Sequence, residues 1–140
     1  MAALWGLVMN SKPQTILAED APAPAGHYSQ AVRSGNSLYI SGQLPIRADK
    51  APLADKSFEL QARLSIANML AILEAAGGKP DDLCRVTAYI VGVQNWPEFN
   101  RVYGEMLGEA RPARTVVPVP ELHYGYLVEI DAIASLPGHG

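Results

Sequence analysis

Arg114 stands in the stretch RPARTVVPV, residues 111–119, directly ahead of an apolar run with the composition of a buried strand. A guanidinium is charged at every physiological pH and is almost never buried without a partner. Further on, in YLVEIDAIA, Glu129 and Asp131 lie two residues apart. In a strand they project to the same side, together with Leu127 and Ile133. Two carboxylates then share a mostly apolar surface. One reading is structural: that face is partly solvated at one end, or a carboxylate pairs with an arginine, which suits Asp131 best. The other places Arg114 and Glu129 in one cleft, where the cation holds an anionic substrate and the carboxylate handles a proton or a water. Residue types and spacing leave both readings open.

Little else has chemistry to offer. Cys84 is the only cysteine and cannot close an internal disulfide, which agrees with a reducing, cytoplasmic compartment. His27, His123 and His139 show no ligand spacing, so no metal site is expected. The formal net charge is −3, from 11 Lys and Arg against 14 Asp and Glu, with no basic cluster. Such a chain lacks the electrostatic footprint of a nucleic-acid binder. The opening MAALWGLVMNSK has neither the basic flank of a signal peptide nor the length of a membrane span, so no membrane association is expected.

The elements that must position these groups follow from periodicity. At 140 residues and 49% hydrophobic content, one domain with one core is expected, here residues 21–140 behind an N-terminal extension of residues 1–20. HYSQAV and LYISG are β-compatible, and Gly35-Asn36 between them suits a hairpin turn. Ser57 is a candidate helix cap, with Gly77-Gly78 as the stop. Between them Leu60, Leu64, Ala67 and Ala71 line one face, widened by Ile66, Leu70 and Leu73. RVTAYIVGV, residues 85–93, alternates as a strand should. Asn95 and Glu98 resemble a capping box opening a second helix, with Phe99, Val102, Tyr103 and Met106 as its apolar face and Gly108 as its end. TVVPV and YLVEIDAIA supply the last strands. The order β-β-α-β-α-β-β predicts an α+β fold, a two-layer sandwich with two helices on one face of a mixed sheet. Apolar residues on both faces of several strands predict that the uncovered face is buried against further copies of the chain, in a closed homo-oligomer.

APAPAGHYSQAV, LYISGQLPI, FNRVYGEML and RPARTVVPVPELHYGYLVEIDAIA, in this order and at these intervals, resemble the RidA (YjgF) family of reactive-intermediate deaminases over residues 21–135. The resemblance implies a chorismate mutase-like fold and a homotrimer with clefts between subunits. It implies hydrolysis of enamines and imines of the 2-aminoacrylate and 2-iminopropanoate type to a 2-keto acid and ammonia, without metal or organic cofactor. By the same resemblance Arg114 grips the substrate carboxylate and Glu129 positions and activates water, while Tyr28, Gly42 and Asn100 line the cleft. Val116 stands where characterised deaminases often carry cysteine, so only a backbone role survives there. His27 stands where proline is usual, and alternation along an extended segment turns it away from the cleft. His123 falls on a loop or rim. Two alternatives remain: a ribonuclease or translation inhibitor, an activity associated with some relatives, and a non-catalytic trimer that binds small carboxylates.

Overall fold

The computed structural model of the chain describes residues 12–138, so the opening residues of the extension, and His139, lie outside what is described. Six strands form one sheet in the order β1-β2-β3-β6-β4-β5. The strands are β1 (Gln14–Ile16), β2 (Ala31–Ser34), β3 (Ser37–Gln43), β4 (Leu83–Val91), β5 (Ala113–Val119) and β6 (Val128–Ser135). All neighbours run antiparallel except β4 and β5, which are parallel and are joined by a helix crossover, as parallel pairs require. Two helices, α1 (Phe58–Ala75) and α2 (Trp96–Leu107), cover one face. The α+β sandwich on a mixed sheet is therefore as the periodicity predicts.

Several elements differ from expectation. Gln14–Ile16, within the stretch assigned to the extension, pairs with β2 and adds a sixth strand. A three-residue strand carries no periodicity of its own; it exists because β2 offers an open edge. The first expected strand begins only at Ala31, because the chain bends over residues 25–28, where Ala25 and Tyr28 line a cleft described below. The β2–β3 hairpin does turn at Gly35-Asn36, where Gly35 takes a φ of 61°, a conformation that costs glycine nothing. Ser57 caps α1, its hydroxyl accepting from the Leu60 amide at 3.2 Å. Asn95 does not cap α2: it has near-helical backbone angles, and its side chain donates to the Val91 carbonyl instead.

The face of α1 is the largest correction. Phe58, Ala62, Ile66, Met69, Ile72 and Leu73 are buried, and with them Gln61, Ser65 and Asn68. Leu60, Leu64 and Ala71 are only partly buried and Ala67 is exposed. The stripe expected from the leucines is thus displaced, because three polar residues occupy the inward face for a reason given below. Beneath α1 and α2, Val86, Ala88 and Ile90 of β4 and Val128, Ile130, Ala132 and Ala134 of β6 complete the core. Outside it, Glu59, Arg63, Arg101 and Glu105 form an exposed ion-pair network that bridges the two helices.

Among the described residues the opposite face of the sheet has no second layer. Tyr39 and Ile133 stand 49% and 37% exposed on it, beside Thr87, Tyr89, Glu129 and Asp131.

Candidate active site

Strand alternation decides which groups can meet. Along β6, Val128, Ile130, Ala132 and Ala134 point into the core, so Glu129 and Asp131 point to the open face, opposite Tyr89 and Thr87 of β4. Glu129 opens into a cleft of about 420 Å³ that also contains Tyr28 and Gly42, two of the expected site residues. Its carboxylate lies directly over Gly42: a Cβ there would sit 2.7 Å from Glu129 Oε2. Glycine at 42 is the condition for this placement, since no other residue leaves the space.

Burial pushes the Glu129 carboxyl above the ordinary carboxylate range, and the neighbouring Asp131 pushes it further, while His123 pulls slightly the other way. Asp131 is also raised by burial, an effect opposed by a 3.3 Å hydrogen bond from the Tyr89 hydroxyl and by Arg85. Asp131 thus has a tyrosine partner rather than the arginine pair expected for it. Glu129 has no hydrogen-bond partner among the described residues, so its oxygens are available to a ligand or water.

The walls of this cleft are set by buried amides. Gln30 accepts from the Ala18 amide at 2.6 Å and donates to the carbonyls of Ala18 and Pro22, which fastens residues 18–22 along one side. Asn68 donates to the carbonyls of Leu44 and Ile46, at 3.1 and 2.9 Å. Gln61 accepts from the Leu127 amide at 2.8 Å, just ahead of Glu129. Buried amides of this kind are stable only when satisfied, and here each satisfies a loop carbonyl or amide that has no secondary-structure partner. The polar residues on the inner face of α1 therefore explain both the displaced stripe and the shape of the site.

Arg114 lies elsewhere. It pairs in register with Val86, a fully buried core residue, so its side chain leaves β5 toward the helix layer. There NH1 donates to Asn100 Oδ1 at 2.9 Å, and the guanidinium lies 5.0 Å from the centre of the Tyr103 ring. Asn100 and Tyr103 are three apart on α2 and so share its face toward β5. Among the described residues no carboxylate pairs with Arg114. The three line a second cleft with Arg111, which adds another cation at its edge.

The expected site residues are therefore divided. Tyr28, Gly42 and Glu129 belong to one cleft, Arg114 and Asn100 to another, and within one chain β4 and the thickness of the sheet separate Arg114 from Glu129. The single cleft read from the sequence does not exist inside one copy. Val116 follows Arg114 on the same side of β5, but its side chain is buried in the core. His27 does not line either cleft, and His123 stacks on Tyr124 at 3.7 Å in the loop before β6.

Sequence reasoning missed Tyr103 as the platform under Arg114, the amides Gln30, Gln61 and Asn68, and the cleft residues Lys50, Tyr124 and Tyr126. A signal existed for some of them. Gln61, Ser65 and Asn68 recur at the spacing of one helical face, and LHYGY clusters aromatics beside a glycine.

Comparison with known proteins agrees with this fold. The family model described as Endoribonuclease L-PSP matches residues 18–136. The chain belongs to that family, the RidA (YjgF) family that its motifs resemble. "RutC family protein PH0854" of Pyrococcus horikoshii is 41% identical over 121 residues, covering 86% of this chain and 96% of its own. A protein of Dermatophagoides farinae named 2-iminobutanoate/2-iminopropanoate deaminase is 36% identical over 116 residues, covering 83% and 91%. The crystal structure of RidA from the Antarctic bacterium Psychrobacter sp. PAMC 21119 matches with a TM-score of 0.83 at 39% identity, covering 88% of this chain and 99% of that one.

Proposed function

We propose that the chain hydrolyses small imine and enamine acids to 2-keto acids and ammonia, at sites completed where the Arg114 cleft of one copy meets the Glu129 cleft of another. The observation that carries this reading is the division itself. One cleft holds guanidinium groups and no carboxylate; the other holds a half-buried carboxylate without a hydrogen-bond partner among the described residues, and Lys50 but no arginine lines it. Association through the open sheet face, where Tyr39 and Ile133 are exposed, would cover apolar surface and join the clefts. A closed homotrimer in the cytoplasm is the form this reading takes.

In that site Arg114 receives the substrate carboxylate in a two-pronged, charge-assisted contact, and Asn100 and Tyr103 hold the guanidinium plane. The imine carbon is then presented to a water held by Glu129. A carboxylate whose proton affinity is raised by burial and by Asp131 is better suited than a free one to accept the proton from that water as oxygen bonds to carbon. The substrate reacts as the protonated iminium, so attack gives a neutral carbinolamine; Glu129 returns the water's proton to its nitrogen, the C–N bond breaks to release ammonia, and the Glu129 carboxylate takes the hydroxyl proton as the carbonyl forms. No oxidant or reductant is needed, and orientation of two reactants supplies much of the acceleration. Val116 takes part only through its backbone.

The test is to generate 2-iminopropanoate in situ with an amino acid oxidase and follow its decay and the release of ammonia with and without the protein. Decay at the spontaneous rate with an intact oligomer removes the reading in favour of a non-catalytic carboxylate-binding trimer. The family description favours one further reading, a ribonuclease. A chain of net charge −3 argues against it, because single-stranded RNA binding rests on basic grooves and stacking platforms. Cleavage of mixed-sequence RNA that is lost in Arg114→Ala would establish it instead.

A further inference from the structure

Tyr124 is not accounted for by anything above. Its backbone sits at φ 59°, ψ 15°, a left-handed conformation that a bulky residue adopts only at a cost. It makes no contribution to the core: the side chain is 67% exposed. Yet the ring has two aromatic neighbours: His123, with centroids 3.7 Å apart and planes tilted by 39°, and Tyr126, which it meets edge-on at 6.2 Å. An aromatic ring kept out of the core, at a backbone cost, and flanked by two neighbours is a surface prepared for something else. What it faces is the Glu129 cleft, which both Tyr124 and Tyr126 line.

The lining of that cleft is of two kinds. Glu129, Gln43, Lys50 and the Tyr28 hydroxyl are polar. Leu44, Ile46, Pro22 and the rings of the two tyrosines are apolar, and the Asn68 and Gln30 hydrogen bonds fix the Leu44, Ile46 and Pro22 backbone. Its volume of about 420 Å³ falls within the roughly 300–1,000 Å³ typical of sites that enclose drug-sized ligands. A three-carbon imino acid held at Glu129 has only a methyl group to set against this apolar lining.

We propose that Tyr124 and Tyr126, with Leu44 and Ile46, form a side-chain pocket that selects 2-imino acids bearing a large apolar or aromatic side chain over the three-carbon substrate. This rests on the reading of the Glu129 cleft as a deaminase site. The selectivity follows from apolar area removed from water inside a preformed wall, and from ring-on-ring contact where the side chain is aromatic. Differences of one or two methylenes in such pockets typically change kcat/KM by about 10–200-fold.

The experiment compares imines generated in situ from alanine, leucine and phenylalanine, and separately the binding of pyruvate and phenylpyruvate by calorimetry. The expected result is a kcat/KM at least tenfold higher for the phenylalanine-derived imine than for the alanine-derived one, and tighter binding of phenylpyruvate. Tyr124→Ala should shrink both ratios at least tenfold, and Tyr124→Phe should retain them, since the ring and not the hydroxyl is at work. Deamination of the alanine-derived imine with equal or greater kcat/KM, together with equal binding of the two keto acids, overturns the pocket and leaves the deaminase reading standing. Selective, Tyr124-dependent binding of phenylpyruvate without turnover of any imine does the reverse. Binding of neither acid and turnover of no imine overturns both.

Discussion

Gly42→Ala isolates the placement of one carboxylate. Gly42 has no positive φ, so its backbone accepts alanine, and the cost falls entirely on what the methyl meets. The new Cβ would lie 2.7 Å from Glu129 Oε2, 3.1 Å from Cδ and 3.4 Å from Cγ. Ordinary contact begins at 3.4 Å, so the carboxylate oxygen has to retreat by about 0.7 Å, the difference between the two distances. Because it is the end of a flexible side chain, it will move rather than strain the sheet. Displacements near 1 Å cost a positioned catalytic group about 10²-fold in rate, which corresponds to about 2.7 kcal/mol of barrier. Turnover of an imine substrate should therefore fall by some tens of fold. Stability should not fall with it: replacing glycine where the backbone is compatible gains about 0.4–1 kcal/mol through the unfolded chain. Thermal unfolding and kcat/KM measured on the same preparation separate the two effects. In a Glu129→Asp background the shorter side chain has already withdrawn from Gly42, and Gly42→Ala should cost little more. Wild-type turnover in Gly42→Ala, or an equal loss in both backgrounds, would refute the claim that Gly42 acts by making room for the Glu129 carboxylate.

Arg114→Ala should abolish calorimetric binding of a 2-keto acid, a loss of about 2–5 kcal/mol for a desolvated charge-assisted pair, and Arg114→Lys should recover only part because lysine has no planar fork; wild-type binding by Arg114→Ala would mean that Arg114 serves a protein contact. Glu129→Gln should lower turnover more than keto-acid binding, and it should also raise the melting temperature at neutral pH. The sign follows from burial and Asp131, which raise the folded carboxyl above its ordinary value of 4.5. The fold thus favours the protonated form, whose stabilisation is complete below the unfolded value and is lost as pH rises through the folded one. The advantage of Gln should accordingly vanish below about pH 4, and melting curves across pH that show a constant difference would contradict this. Tyr103→Phe keeps the ring beneath Arg114 while deleting a buried hydroxyl with no hydrogen-bond partner among the described residues, so it should stabilise the chain by about 1 kcal/mol in denaturant unfolding; destabilisation would reveal a partner for that hydroxyl.

The alternation of RVTAYIVGV and YLVEIDAIA, the Ser57 cap and the Gly35-Asn36 turn were legible as sequence because each is a local rule: strand period, capping hydroxyl, backbone sterics. From these followed the α+β class, the two helices and the common face of Glu129 and Asp131. The motifs around Arg114 and Glu129 marked the family for the same reason, since a motif is read in one dimension. Tertiary structure decided the rest. Which face of α1 turns inward was settled by Gln61 and Asn68, whose burial makes sense only once the loops they bond are in place, and by Ser65, which donates to the Val128 carbonyl at the start of β6. Whether Gln14–Ile16 is a tail or a strand depended on an open edge at β2, separated from it along the chain by residues 17–30 but adjacent in the sheet. Above all, the sequence can bring Arg114 and Glu129 into one sentence but not onto one side of a sheet. The parallel register of β5 on β4 sends Arg114 to the helix layer, and the antiparallel register of β6 on β4 sends Glu129 to the open face. Side chains alternate across every strand, so pairing alone assigns the two charges to opposite sides, and pairing is a property of strands meeting in space.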